Sequence, residues 1–210
     1  MELFGIKAKI KINNKELLWI KPILENWLRV HRDYIEATES KDGLFWYNER
    51  ANVGALAGAI WRGGGYALEE FGVTKKNNKK TFRGRLDLYF KYADRHVIAE
   101  AKQSWVYLAK KRRKSYRSLI DKTITSAKAD IAISQEHSGY QLGLGLAFFP
   151  TFSNYNITDG ESLKLFIKDV EHTECDFLVW FQNTSGTNLI SRNNELCEAV
   201  AMVGILSTSQ

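Results

Sequence analysis

The sequence predicts a single α/β domain built on a mixed four- to five-stranded sheet flanked by helices, and three observations predict it. Apolar residues recur at helical spacing in two N-terminal stretches, Leu17 to Leu28 and Val53 to Ile60. Apolar and polar residues then alternate through Val97 to Lys102, the two-residue period of a strand buried mainly on one face. A third stretch, Gln141 to Phe149, is strongly apolar and glycine-spaced, as in a strand buried on both faces.

In chain order, Phe4 to Ile12 reads as a short strand. Asn13 or Asn14 can cap a helix from Lys15 to Ile35, and Pro22 either kinks that helix or marks its true first turn. His31-Arg32-Asp33 spells a kinase triplet without the accompanying glycine loop or Asp-Phe-Gly, so that reading is discarded. Thr38 to Gly43 is a polar break. Tyr47 to Trp61 predicts a second helix ended by Gly63-Gly64-Gly65, which match neither a Walker loop nor a dinucleotide fingerprint.

Tyr66 to Val73 reads as the first strand of the core sheet, and the run KKNNKK, Lys75 to Lys80, as the loop into the strand carrying Asp87. The strand with Glu100 and Lys102 follows. Trp105 to about Gln135 reads as a helix and Gln141 to Phe149 as a strand ending at Pro150. Ser153 to Gly160 is a loop, Leu163 to Val170 a helix or short strand, and Asp176 to Gln182 a final strand. The tail, Asn193 to Leu206, reads as a short apolar helix. The 210 residues thus divide into an N-terminal helical extension (1–43), a core (47–182) and a C-terminal tail (183–210) of one domain.

Composition narrows the function classes. A 44% hydrophobic and 26% charged chain without a long apolar run is neither disordered nor helically membrane-spanning, and its N-terminus lacks signal-peptide features. Cys175 and Cys197 are too few for a disulfide framework and suit buried thiols in a reducing, cytoplasmic setting. The four histidines lie in separate segments, which argues against a zinc site, and no Gly-x-Ser-x-Gly elbow is present. With 30 Lys and Arg against 24 Asp and Glu, the net charge of +6 favours polyanionic partners.

The stretch Thr81 to Ser104 carries the chemistry. Asp87 interrupts an apolar run between Leu86 and Leu88, a costly place for a charge unless something such as a divalent metal binds it. Thirteen residues on, Glu100 and Lys102 emerge from the same face of an alternating strand, with Val97, Ala99 and Ala101 on the core face. Arg85 shares the face of Asp87, where it either contacts a phosphate or pairs with the cluster. Lys110, Arg113, Lys114 and Arg117 recur at spacing that places them on one helix side, suited to a phosphate backbone, and Lys76 and Lys79 add a second basic run. Trp105 and Tyr116 interleave with these bases, as stacking platforms or as core.

The pattern GRLD ending at Asp87, followed by VIAE ending at Glu100 and then Ala101-Lys102, resembles the PD-(D/E)xK nuclease superfamily, although Leu86 stands where the family's proline would be. The resemblance covers roughly Tyr47 to Val179. It implies a restriction-endonuclease-like core and a nuclease that uses magnesium, with manganese able to substitute, to hydrolyse DNA. It also implies metal ligation by Asp87, Glu100 and the Ala101 carbonyl, and a Lys102 that orients or activates water and stabilises developing charge. A third carboxylate would come from Glu49 on the second helix, with Glu69 and Glu70 as competitors. By analogy such a compact nuclease, an endonuclease by expectation, suits phage, mobile-element, repair or defence work. A protein partner supplying specificity, a homodimer, RNA as substrate and a non-catalytic binding module of the same fold remain open alternatives.

Overall fold

Asn14 and Pro22 divide the first expected helix in two. In the computed structural model, which describes residues 2–3, 6–77, 80–108, 115–154, 160–184, 189–190 and 195–208, the Asn14 side chain accepts a hydrogen bond from the Glu16 N–H at 3.0 Å. A short 3-10 turn, Lys15–Ile20, follows, and the α-helix α1 runs Lys21–Ala37 with Pro22 in its first turn. Proline fits there because the first-turn N–H has no helical partner to lose. The second helix, α2, spans Glu49–Arg62 behind an Asn48 cap that accepts from Ala51 N–H at 3.2 Å. It stops at the three glycines. A Cβ on Gly65 would lie 2.7 Å from the Lys91 carbonyl oxygen, so the chain turns there against the sheet only with glycine.

Among the described residues the strands are β1 (Glu2–Leu3), β2 (Ile6–Ile12), β3 (Tyr66–Asn77), β4 (Lys80–Tyr92), β5 (Arg95–Gln103), β6 (Val106–Leu108), β7 (Leu142–Asn154), β8 (Phe177–Asn183) and β9 (Glu195–Thr208). They form one sheet in the order β1-β2-β8-β9-β7-β5-β4-β3, with β6 paired to the far half of β7. The pairs β5·β7 and β6·β7 are parallel and the rest antiparallel, so the sheet is mixed. Two more helices, α3 (Arg117–Ser138) and α4 (Gly160–Glu171), complete the set.

Helices cover both faces. Leu88, Phe90, Val97, Ala99, Leu144, Phe148, Val179 and Met202 pack with Trp27 and Leu28 of α1 and Leu56 and Ile60 of α2. On the opposite face Ala147, Phe149, Leu178, Ala201 and Val203 pack with Ile120 and Ile124 of α3 and Phe166 of α4. The glycine spacing of β7 admits α3 closely, since a Cβ on Gly145 would sit 3.0 Å from the Ala127 carbonyl. The order α2, three strands, α3, strand is the order expected from sequence, with the short β6 added; the three strands are antiparallel and the fourth, β7, runs parallel to the third.

Several expectations are corrected. The sheet has nine strands among the described residues, not four or five, because the segments outside the expected core join it. The C-terminal tail is a strand, not a helix: Val200 and Met202 face the α1 side while Ala199, Ala201 and Val203 face the other. A strand buried on both faces loses its alternation and reads like a buried helix. Segment 1–43 supplies β2, which pairs with β8, and α1, which packs in the main core. Val106 to Leu108 is a strand, and α3 starts only at Arg117. Strand β7 continues through Pro150, tolerated beside a register shift between Pro150 and Phe152. Lys75 to Asn77 and Lys80 lengthen β3 and β4 rather than forming a loop. Leu163 to Val170 is helical. Cys175 and Cys197 are buried thiols. Among the described residues no helix is long and apolar enough to cross a membrane.

Candidate active site

Asp87 sits where the ladder between β3, β4 and β5 breaks. The β3·β4 register runs through Glu69↔Leu88 and resumes at Phe71↔Leu86, and Glu70, opposite Asp87, adopts φ 54°. On the other side, the β4·β5 pairing runs from Tyr92↔Arg95 to Leu88↔Ala99. Beyond it the Asp87 carboxylate takes over the role of a ladder acceptor, receiving the Ala101 N–H at 2.7 Å. Leu88 packs on the α1 side, while Leu86, two residues away, packs with Ile98 and Ile131 on the α3 side. A strand that changes face within two residues must twist between them, and irregularities of this kind re-aim a side chain.

The start of α2 is tied to the end of β5 by Gln103. Its side-chain amide donates to the Tyr47 carbonyl at 2.9 Å and accepts from the buried Asn52 at 2.8 Å. This brings Glu49, the first residue of α2, within electrostatic reach of Asp87 and Lys102. Burial, then the charge of Asp87, push the Glu49 carboxyl above the usual carboxylate range; Lys102 and a hydrogen bond from the Gln103 backbone pull the other way, and Asp130 adds to the push.

Lys102 projects toward α3, where its Nζ lies 2.5 Å from Asp130 Oδ2. Burial disfavours its charge, but the hydrogen bond and charge of Asp130, with the charges of Glu49 and Asp87, outweigh that and hold the amine above its ordinary range. The Lys102 ammonium thus sits among carboxylates that favour its charged form.

Glu100 is placed differently from Lys102 although both leave the same face. It is 5% exposed under α3, and its carboxylate accepts a hydrogen bond from Ser134 Oγ. Ala101 enters the site through its N–H, on Asp87. Glu70 is engaged by two arginines, with Arg50 Nε at 3.0 Å and Arg85 Nε at 2.9 Å. Of the two readings for Arg85, the structure shows the ion pair. Among the described residues no group of three or more His, Cys, Asp or Glu side chains converges as a metal cage.

Lys79, Lys110, Arg113 and Lys114 lie outside the described residues, as does the side chain of Lys76. Arg117 is exposed at the start of α3, 3.9 Å from Asp121. Tyr116 is fully buried against Phe166, so it is core, whereas Trp105 is 47% exposed and rests on Phe152.

Sequence reasoning missed Asp130, Ser134 and Arg50. For the first two a signal was present: Ala127, Ile131 and Ser134 share one buried helical face, and Asp130 flanks it. Compared with known proteins, the chain matches no family model, no curated protein and no solved structure.

Proposed function

We propose that the chain is a metal-dependent nuclease that hydrolyses phosphodiester bonds within DNA. The observation that carries this reading is the meeting of α2, β4 and β5 at one place: Asp87 is held by the Ala101 N–H and the start of α2 is tied to β5 through Gln103, which sets Glu49, Asp87 and Lys102 within electrostatic reach of one another. Two carboxylates and a cation meeting at a break in a sheet is an arrangement that stability alone does not favour, since Glu49 and Asp87 repel each other.

The donor set fits magnesium, which is held through one or two carboxylates together with substrate phosphates rather than by an all-protein cage. Glu49 and Asp87 would hold it, and a cation there would offset the burial and the Asp87 charge that raise the Glu49 carboxyl. Bound there, magnesium, or manganese in its place, supplies charge neutralisation at the phosphate and an acidified water. The chain's own groups do the rest. Asp87 is fixed by the Ala101 N–H, and Glu49 by the Gln103 tether of its helix. Lys102, kept protonated by Asp130, suits stabilisation of charge on a phosphoryl oxygen better than removal of a proton from water. A ligand role for Glu100 requires its carboxylate to leave Ser134.

A second reading, a nucleic-acid-binding module without hydrolysis, is favoured by one observation: Lys102 and Glu100 already hold partners within the chain. Incubation with circular double-stranded and single-stranded DNA and with an RNA oligonucleotide, in magnesium, manganese or EDTA beside a Lys102→Ala control, separates the readings. Metal-dependent cutting of circles by the wild type alone supports the endonuclease. Cutting of RNA alone reassigns the substrate, and DNA binding without cutting favours the module.

A further inference from the structure

At the edge of the candidate site one carboxylate is gripped by two guanidinium groups. Arg50 Nε stands 3.0 Å from Glu70 Oε1 and Arg85 Nε 2.9 Å from Glu70 Oε2. The arginines come from the elements that carry the proposed metal ligands: Arg50 follows Glu49 on α2, and Arg85 precedes Asp87 by two residues on β4. Glu70 lies across the ladder from Asp87 in a left-handed conformation, φ 54°, that a residue with a Cβ adopts only at a cost.

Stability does not account for this arrangement. The arginine side chains are 69% and 64% exposed, and ion pairs so open to solvent contribute little. What the geometry does provide is a pair of planar donors spaced to meet both oxygens of one dioxo anion. A carboxylate and the two non-bridging oxygens of a phosphodiester present nearly the same target, and arginine is the side chain that matches both.

We propose that Arg50 and Arg85 form a clamp for a backbone phosphate of the nucleic acid, and that Glu70 occupies the clamp as a stand-in until the phosphate displaces it. The identity of the ligand rests on the nuclease reading. The phosphate held is a neighbour of the one at Glu49, Asp87 and Lys102, because Arg50 is adjacent to Glu49 on α2 and only Leu86 stands between Arg85 and Asp87 on β4. The displaced Glu70 side chain turns to solvent, to which it is already 34% exposed. The clamp thereby sets affinity and register and leaves the bond-breaking groups untouched.

The test measures binding of a fluorescein-labelled DNA oligonucleotide by anisotropy in EDTA, across a range of sodium chloride concentrations. Four proteins are compared: wild type, Glu70→Gln, Arg50→Ala/Arg85→Ala, and the triple variant. Glutamine keeps the shape of Glu70 and removes its charge, and melting curves confirm that each variant folds. Glu70→Gln is expected to bind about two- to tenfold more tightly, the range set by two exposed ion pairs. The double arginine variant binds more weakly, and its salt dependence flattens by about 0.9 in log–log slope for one duplex phosphate lost. In the triple variant the Glu70→Gln gain disappears. An equal gain with and without the arginines, or no gain in either, overturns the clamp, and so does a wild type that fails to bind DNA. Cutting activity is read separately: a protein that binds through the clamp without cutting refutes the nuclease and keeps the clamp. One that cuts while Glu70→Gln leaves its DNA affinity unchanged does the reverse.

Discussion

Lys102 Nζ and Asp130 Oδ2 lie 2.5 Å apart, joining the end of the central strand β5 to the middle of α3. The pair keeps the lysine charged among three carboxylates, so it acts on the electrostatics of the site more than on the fold. Both side chains are more than a third exposed, and little stability resides in the contact.

The first prediction separates those roles. Lys102→Ala removes a charge donor and is expected to lower the cleavage rate by about 10²–10³-fold, the usual effect of deleting one electrostatic stabiliser, with little change in melting temperature. Asp130→Asn retains the lysine but withdraws the group that raises its pKa. The alkaline limb of the rate profile should therefore move to lower pH in Asp130→Asn. A limb that stays in place would show that Lys102 does not set it.

Glu49 gives a pH signature independent of catalysis. Its carboxyl is raised in the folded protein, so between the ordinary glutamate value and the raised one the folded state binds more protons than the unfolded. Stability then falls as pH rises through that window. In EDTA, Glu49→Gln should be at least as stable as wild type at pH 7 and lose this advantage at pH 4. Magnesium should raise the wild-type melting temperature at pH 7 and have a smaller effect on Glu49→Gln, because a ligand of the folded state stabilises only where its site is intact. Equal magnesium shifts in both proteins would remove Glu49 from the site.

How much of this was legible in the sequence differs from element to element. The α2 and β5 segments were legible because Val53, Leu56 and Ile60 recur at helical spacing and Val97, Ala99 and Ala101 at the two-residue period of a strand, although Ile98 and Glu100 are buried on the opposite face; β4 came with them as the strand leading into β5. Strand β9 did not, because Val200 and Ala201 are buried on opposite faces and leave no period to read. The three residues of β6 are too few to interrupt a helical pattern. Asp130 requires knowing which face of α3 meets the sheet. The left-handed Glu70 carries no sequence mark, since the residue that would announce that conformation, glycine, is absent there.

His31 is fully buried against Trp27, Phe45 and Phe181, and among the described residues neither ring nitrogen has a hydrogen-bond partner. Burial lowers its pKa from 6.5 to about 3. Across that window the unfolded chain takes up a proton that the folded one refuses, so stability is lost as pH falls, by up to about 5 kcal/mol over the whole span. Urea melts at pH 7 and pH 5 should show wild type losing about 2 kcal/mol more than His31→Leu. Parallel losses would mean that His31 is hydrated or partnered in solution.

Gly145 tests the contact that sets α3 over the site. A Cβ there would meet the Ala127 carbonyl carbon and oxygen at 3.0 Å and the Lys128 nitrogen at 3.1 Å, and helix backbone cannot yield as a side-chain tip can. Gly145→Val should cost about 1–3 kcal/mol through overpacking, a fall in melting temperature on the order of 2–12 °C for a chain of this size. Gly72 is the contrast: a Cβ there meets nothing within 4 Å, and Gly72→Ala should change stability by no more than about 0.5 kcal/mol. Because α3 also carries Asp130 to Lys102, any folded Gly145→Val protein should shift the alkaline limb of the rate profile in the direction of Asp130→Asn, and Gly72→Ala should not. A Gly145→Val protein as stable as wild type would show that α3 can move outward freely, and the close approach of helix and strand would then not be what positions Asp130.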